Sequence, residues 1–286
     1  NNKEIKGIKY DKNVNMWDVI NDLPFKLTKA QLRVLEEINY DMEKEKPMNR
    51  LLQGDVGSGK TIVSIVAAYK ACMSGYQAAI LAPTMILAKQ HYINFNRILG
   101  KYGLKCELLV GGMTAKQKRE ALEKIENGDA NIVIGTHALL EENVTFNKLG
   151  LVVTDEQHRF GVKQRSKIIA KGDNPDVLVM SATPIPRTLA LILYGDLDIS
   201  IIDELPPNRK KVQTIAVSTK LENRINTFIK KEVDSGRQAY IVCPLVDETE
   251  NIEDEGLTSA VELYKKYTED TFKGYRVRII TWKNEA

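Results

Sequence analysis

An α/β fold with a parallel sheet wrapped by helices is predicted by three observations. Short apolar runs alternate with stretches of helical periodicity through the first two thirds of the chain. A glycine-rich stretch, Gly54-Asp55-Val56-Gly57-Ser58-Gly59-Lys60-Thr61, joins the first apolar run to the first strongly apolar helix. The later runs at 132–135, 151–154 and 177–180 each end in polar residues, and open parallel sheets bind ligands beyond the carboxyl ends of their strands.

Residues 1–22 form a polar lead-in, and Leu23-Pro24-Phe25-Lys26-Leu27 then runs into a helix that starts near Thr28. Val34, Leu35, Ile38 and Met42 give that helix its apolar stripe, and Thr28 with Gln31 makes a capping box. A strand at Leu51 follows. Ile62, Val63, Ile65, Val66, Ala67, Ala68, Ala71 and Cys72 make the next helix apolar nearly all round, hence buried, with Gly75 as its stop. The run 78–82 reads as a strand leading through Pro83-Thr84 into a helix that ends near Gly100. A strand over 106–110 comes next, then a helix capped by Thr114 and Gln117 and ended by Gly128.

The composition changes at Glu204-Leu205-Pro206-Pro207-Asn208-Arg209-Lys210-Lys211, where two prolines forbid helix and three basic residues stay in water. That break divides the chain into a lead-in over 1–22, a first domain over 23–207 and a second over 208–286. In the second, 213–217 reads as a strand, Thr219 and Glu222 as the cap of a helix, and 238–243 as another strand. Residues 247–256 are crowded with carboxylates without regular ligand spacing, which is the pattern of a solvated loop rather than a metal site.

Bulk composition bounds the function. A hydrophobic share of 43% with 28% charged residues is that of a globular protein. The net charge of +3, from 41 basic and 38 acidic residues, leaves any basic track local. Cys72, Cys106 and Cys243 stand far apart in apolar segments, as buried thiols of a reducing compartment do. With no apolar signal core and no membrane-length apolar run, a cytoplasmic chain without membrane contact is expected.

The glycine-rich stretch has the form of a phosphate-binding loop, G-x-x-x-x-G-K-T, with a strand before it and a helix after it. Gly54, Gly57 and Gly59 let the backbone curl so that N–H groups of Asp55, Val56, Ser58 and their neighbours converge on phosphates, and the helix adds its positive end. Lys60 supplies a mobile charge for the β- and γ-phosphates, and the Thr61 hydroxyl is placed to ligate Mg²⁺. A bound nucleoside triphosphate is therefore expected. About a hundred residues on, the strand ending at Thr154 delivers Asp155 and Glu156 together. One carboxylate suits hydrated Mg²⁺ and the other the attacking water, since phosphoryl transfer asks the protein mainly to place charge. Ser181 and Thr183 follow the next strand, where their hydroxyls could relay loss of the γ-phosphate by hydrogen bonds.

Asp155-Glu156-Gln157-His158 together with Ser181-Ala182-Thr183 resembles the superfamily of two-lobed nucleic-acid helicases and translocases. The stretches 51–61, 155–162, 180–190, 194–198 and 203–207 resemble those of the RecG branch-migrating DNA helicases, and the resemblance runs from about Leu23 to Val246. It implies a RecA-like first lobe and a partial second one. It also implies ATP and Mg²⁺ as the nucleotide and cation, duplex or branched DNA bound without sequence preference, and fork or junction remodelling; a monomer is expected.

By the same resemblance, Lys60 and Glu156 are catalytic, Thr61 and Asp155 hold the metal, and His158 couples the nucleotide to the neighbouring segment. Gln31 would read adenine, with Phe25 packing on the base; Gln31 is equally an ordinary capping-box residue, and the two roles are compatible. Thr84, Gly112 and Thr136, each just past a strand, would meet DNA phosphates, with Arg187 beside the Ser181–Thr183 segment in the same coupling role. Past Val246 the chain does not match the segment that ends the second lobe, so the arginine finger is expected to be missing and hydrolysis by these residues alone to be slow; by the same resemblance an amino-terminal wedge is also expected to be absent. A transcription-repair coupling translocase is the alternative within the class, with Gln157 favouring RecG. A nucleotide-binding scaffold is the alternative outside it.

Overall fold

The computed structural model describes residues 6–155, 162–183, 197–204, 212–243 and 259–280, and forms two compact units, residues 1–210 and 211–286. Among the described residues of the first unit, six α-helices flank one sheet of seven strands. They are α1 (Met16–Asn21), α2 (Lys29–Met42), β1 (Asn49–Gly54), α3 (Lys60–Met73), β2 (Gln77–Leu81), α4 (Met85–Leu99), β3 (Cys106–Leu109), α5 (Ala115–Glu126), β4 (Ile132–Gly135), β5 (Leu149–Thr154), α6 (Val162–Ile169), β6 (Asp176–Ser181) and β7 (Asp198–Ile202).

Every strand pairing is parallel, and the seven strands lie in the order β3-β4-β2-β5-β6-β1-β7. That order has a direct consequence for function. β6 lies between β1 and β5, with Gln53 of β1 opposite Ser181 and Thr154 of β5 opposite Val179. The glycine-rich loop, Asp155 and the Ser181–Thr183 segment therefore emerge from consecutive strands at the carboxyl end of the sheet. Strand spacing puts β1 and β5 roughly 10 Å apart, within the span of one bound nucleotide and its cation. On the other side, β3, β4 and β2 carry Gly112, Thr136 and Thr84 just past their carboxyl ends.

Both faces of the sheet are buried, as the near-continuous apolar runs require. Ala78, Ile80, Ile132, Ile134, Leu151 and Val153 pack with α2, α3 and α4 on one face, and Ala79, Leu81, Val133 and Val152 pack with α5 and Ile168 on the other. In α3, every residue from Ile62 to Cys72 is buried, including the polar Ser64 and Lys70. The Lys70 ammonium is satisfied by Asn39 Oδ1 and Glu43 Oε1, both at 2.6 Å. Each fully buried Ile or Val here stabilises the fold by roughly 1.5–3 kcal/mol.

Several expectations are revised by tertiary structure. The lead-in belongs to the first unit: Tyr10, Met16 and Val19 are core residues, and the Tyr10 hydroxyl donates to the Gly150 carbonyl. Asn15 caps α1, a short helix whose apolar spacing is too brief to register as a pattern. β7 was not expected either, since its burial is irregular at a sheet edge. In the second unit, 213–217 and 238–243 form no strand, because no described segment pairs with them and a strand is defined by its partner. The helix expected from Thr219 begins instead at α7 (Glu222–Asp234), after a 3₁₀ turn over Thr219–Leu221 and without a side-chain cap. The unit also contains α8 (Ala260–Lys266), capped by Ser259. The acidic loop at 247–256 lies outside the described residues.

At the amino end of the sheet, Asp176 begins β6 fully buried, accepting the Met48 N–H at 2.7 Å through Oδ1. Burial pushes its carboxyl up to about 8, because desolvation outweighs that one hydrogen bond.

Candidate nucleotide site

β1 ends at Gly54, and the loop turns back on itself before α3 begins at Lys60. Two glycines make the turn possible: Gly57 at φ 78° and Gly59 at φ 89° occupy the left-handed region. Gly59 is doubly constrained, because a Cβ there would lie 2.2 Å from the Gln31 amide nitrogen. Gly54 is constrained by proximity, with a Cβ meeting the Ser58 hydroxyl at 2.5 Å. The α3 N-terminus carries no side-chain cap, and its positive end faces the loop, where an anion would be favoured.

Within the loop, the Lys60 ammonium donates to the carbonyls of Gly54 at 2.6 Å and Asp55 at 3.0 Å. Gln31 approaches from the start of α2. Its Nε2 donates to the Ser58 carbonyl at 2.8 Å, while its Oε1 accepts the Thr28 N–H at 2.8 Å and completes the capping box. The capping role and the contact with the loop thus coexist in one buried amide. Phe25 lies elsewhere: 49% exposed, it lines a groove of about 140 Å³ with Arg97, Ile98 and Lys101 at the far end of α4.

Asp155 follows β5, its main chain fixed by donation of its N–H to the Leu81 carbonyl at 2.9 Å. Its carboxylate meets a residue that sequence reasoning missed. His91 Nε2 of α4 lies 2.6 Å from Asp155 Oδ2. The one signal in the sequence was a histidine on the apolar stripe Ala88, His91, Phe95 and Ile98, a pattern more often of a core histidine than of a functional one. Beyond β6, the Ser181 and Thr183 hydroxyls are 3.2 Å apart, and Gln53 Nε2 reaches the Thr183 carbonyl at 3.5 Å. The β1 residue that precedes the loop thus touches the segment beyond β6.

Four buried side-chain polar atoms among the described residues have no hydrogen-bond partner: Ser58 Oγ, Thr154 Oγ1, His91 Nδ1 and Asp176 Oδ2. The first three belong to the loop, to the residue before Asp155 and to the partner of Asp155. Buried polar groups are otherwise almost always paired, and this clustering marks the carboxyl ends of β1 and β5 as a site built for polar contacts. The glycine cradle, the uncapped helix start, Lys60 and the Asp155 carboxylate are a donor set that fits a triphosphate with its divalent cation.

On the other half of the carboxyl end, Thr84 caps α4 by accepting the Leu87 N–H at 3.3 Å. Gly112 takes φ 80° with nothing near the position a Cβ would occupy. Thr136 precedes the 3₁₀ turn His137–Leu140. His137, Glu141, Glu142, Gln164 and Lys167 line a cavity of about 330 Å³ beside it. Glu156, His158 and Arg187 lie outside the described residues.

At the exit from β7, the chain is tied to α2. Glu204 Oε2 accepts the Ala30 N–H at 3.1 Å, and Arg33 donates to the Ile201 carbonyl and to Asp203 Oδ1, both at 2.9 Å. Arg33 holds the Asp203 carboxyl below its ordinary range.

The geometry matches what comparison with known proteins finds. The family model for DEAD/DEAH box helicases matches residues 28–192. The ATP-dependent DNA helicase RecG of Bacillus subtilis is 47% identical over 262 residues, covering 92% of this chain and 38% of the relative. RecG of Thermotoga maritima is 48% identical over 263 residues, covering 92% of this chain and 33% of the relative. The solved structure of RecG bound to a three-way DNA junction superposes with a TM-score of 0.76 at 44% identity, covering 94% of this chain and 35% of that one. The chain spans about a third of the length of these relatives. The sheet and its flanking helices are a RecA-like helicase lobe. With the family model spanning more than half of its residues, the chain belongs to the DEAD/DEAH box helicase family and, over nearly its whole length, is similar to RecG helicases.

Proposed function

We propose that this chain is the motor segment of a RecG-type DNA helicase, coupling ATP hydrolysis to branch migration and to the remodelling of forks and junctions. One observation carries the reading: the glycine-rich loop, Asp155 and Ser181 leave three consecutive strands at one end of the sheet, with buried unpaired polar atoms gathered around them. The likeness to RecG supports DNA as the partner, bound without sequence preference.

In this reading the loop N–H groups and the start of α3 bind the phosphates, and Lys60 exchanges the Gly54 and Asp55 carbonyls for phosphate oxygens. Thr61 and Asp155 hold magnesium, which when bound neutralises charge on the β- and γ-phosphates. Glu156 orients the attacking water and takes its proton, and His158 couples that carboxylate to the segment beyond it. Gln31, already in contact with Ser58, presents its amide to adenine. Ser181, Thr183 and Arg187 pass the state of the nucleotide along the sheet, and Thr84, Gly112 and Thr136 hold DNA phosphates. Residues 23–207 are the first RecA-like lobe and residues 208–286 the start of a second. Support for the latter is that the match to the RecG structure extends past the first unit. The free thiols agree with a reducing compartment such as the cytoplasm, where the chain would work as a monomer.

The test is ATP turnover with and without a three-way DNA junction, in the full-length protein that carries this segment and in its Glu156→Gln variant. Stimulation by the junction is expected in wild type. Glu156→Gln should bind Mg·ATP and lose turnover, because the substitution acts on the water rather than on binding. Turnover indifferent to DNA at saturating junction concentration would leave a nucleotide-binding scaffold instead.

A further inference from the structure

We propose that His91 is a positioning residue for magnesium, holding one oxygen of Asp155 so that the other is left to the cation. The inference rests on the nucleotide-site reading above and extends it to a residue on a different element.

The contact is built rather than incidental. α4 is fixed at its start by the Thr84 cap and along its length by Ala88, Phe95, Ile98 and Leu99 in the core. The His91 ring lies on that buried stripe, edge-on to Phe95 with centroids 6.3 Å apart. Asp155 has its main chain in the sheet ladder through Leu81, but its carboxylate has two soft torsions. The bond between His91 Nε2 and Asp155 Oδ2 removes that freedom, at a length of 2.6 Å and with both side chains largely shielded from water.

The polar bonding of His91 is one-sided. Among the described residues Nδ1 is buried without a partner, and the side-chain hydrogen bond of this ring goes to Asp155. A histidine that served only to fill the core would leave two polar nitrogens to be satisfied, at a cost that an apolar side chain avoids. Because a carboxylate only accepts, the His91 nitrogen must donate. Asp155 Oδ2 is thereby occupied, and Oδ1 makes no hydrogen bond among the described residues. Outer partners that orient a ligating carboxylate typically change metal affinity 10- to 100-fold when removed.

The experiment titrates Mg²⁺ into the protein with a fluorescent methylanthraniloyl ADP, and measures binding of the same nucleotide in EDTA. His91→Leu and His91→Asn should raise the half-saturating Mg²⁺ concentration about 10-fold or more, with affinity in EDTA unchanged. His91→Gln should stay near wild type, because its terminal amide reaches about as far as imidazole Nε2. In an Asp155→Asn background, His91→Leu should add nothing. If His91→Leu does not fold, the contrast between His91→Asn and His91→Gln decides the matter. Equal Mg²⁺ dependence in all folded variants overturns the proposal, as does a parallel fall of affinity in EDTA, which is what a merely structural role would give. Wild-type binding that is indifferent to Mg²⁺ sinks the nucleotide-site reading itself, and is told apart by being visible without any substitution.

Discussion

The carboxyl end of the sheet has two halves that share a backbone geometry and differ in what they bury. On β5, β6 and β1, the loops fold inward: Gln31 and Lys60 bond loop carbonyls, His91 bonds Asp155, and among the described residues three polar atoms there are buried unpaired. On β3, β4 and β2, the loops open outward: Gly112 has free space around it, and Thr136 leads into a turn beside an open cavity. The difference teaches what each half is suited to. Prepaid burial of polar groups favours one small ligand of fixed shape and dense charge, whereas open hydroxyls and backbone N–H groups suit a repeating phosphate chain read without sequence.

The sharpest way to break this comparison is Lys60→Ala. It should lower Mg·ATP affinity on the order of 100-fold, the scale of losing a charged partner, while leaving DNA binding without nucleotide unchanged. Calorimetry showing the same ATP affinity in variant and wild type would erase the distinction between the halves.

A matched pair of glycine substitutions comes next. Gly59→Ala meets both a left-handed backbone and the Gln31 amide, so it should cost roughly 1–3 kcal/mol of stability and weaken nucleotide binding as well. Gly112→Ala meets the backbone penalty alone, about 1–2 kcal/mol, with nucleotide affinity intact. Urea unfolding and nucleotide titration of the two variants check both halves at once, and equal nucleotide affinities would remove the constraint assigned to Gln31.

Smaller effects separate two threonines on the open half. Thr84→Ala loses the α4 cap, about 1 kcal/mol, whereas Thr136→Ala caps nothing and should stay within about 0.5 kcal/mol of wild type. Both should weaken DNA binding in a filter or anisotropy assay; a Thr136→Ala protein with wild-type DNA affinity would take that loop out of the interface.

Asp176, at the opposite end of the sheet, should leave both affinities alone and change only stability against pH. Its carboxyl is raised from 3.8 to about 8 in the folded chain, so the stability it contributes is full below pH 3.8 and is lost as pH rises through about 8. Asp176→Asn keeps an acceptor for the Met48 N–H and removes the charge, so its thermal stability should fall less between those pH values than wild type does.

Local signals in the sequence were strong wherever chemistry and backbone coincide. The glycine loop, the buried α3, the capping boxes at Thr28 and Thr114 and the six strands β1 to β6 stand where spacing placed them, because each depends on neighbours a few residues away. The contact between His91 and Asp155 was not legible, since it spans 64 residues and a single histidine on an apolar stripe carries no pattern. Tyr10 and α1 escaped for a similar reason: their place in the core is fixed by distant partners such as Gly150. The segments at 213–217 and 238–243 erred the other way, having β-type composition but no described strand beside them.

One helix links the two ends of the first unit's story. α2 presses Gln31 against Ser58 near its start, and its first turns also grip the outgoing chain through Ala30, Arg33, Asp203 and Glu204. A displacement of the loop and a tug on the departing polypeptide are consequently felt by one stiff rod, less than two helical turns from end to end of the coupled stretch. Tension in the connector and occupancy of the loop share a single mechanical support.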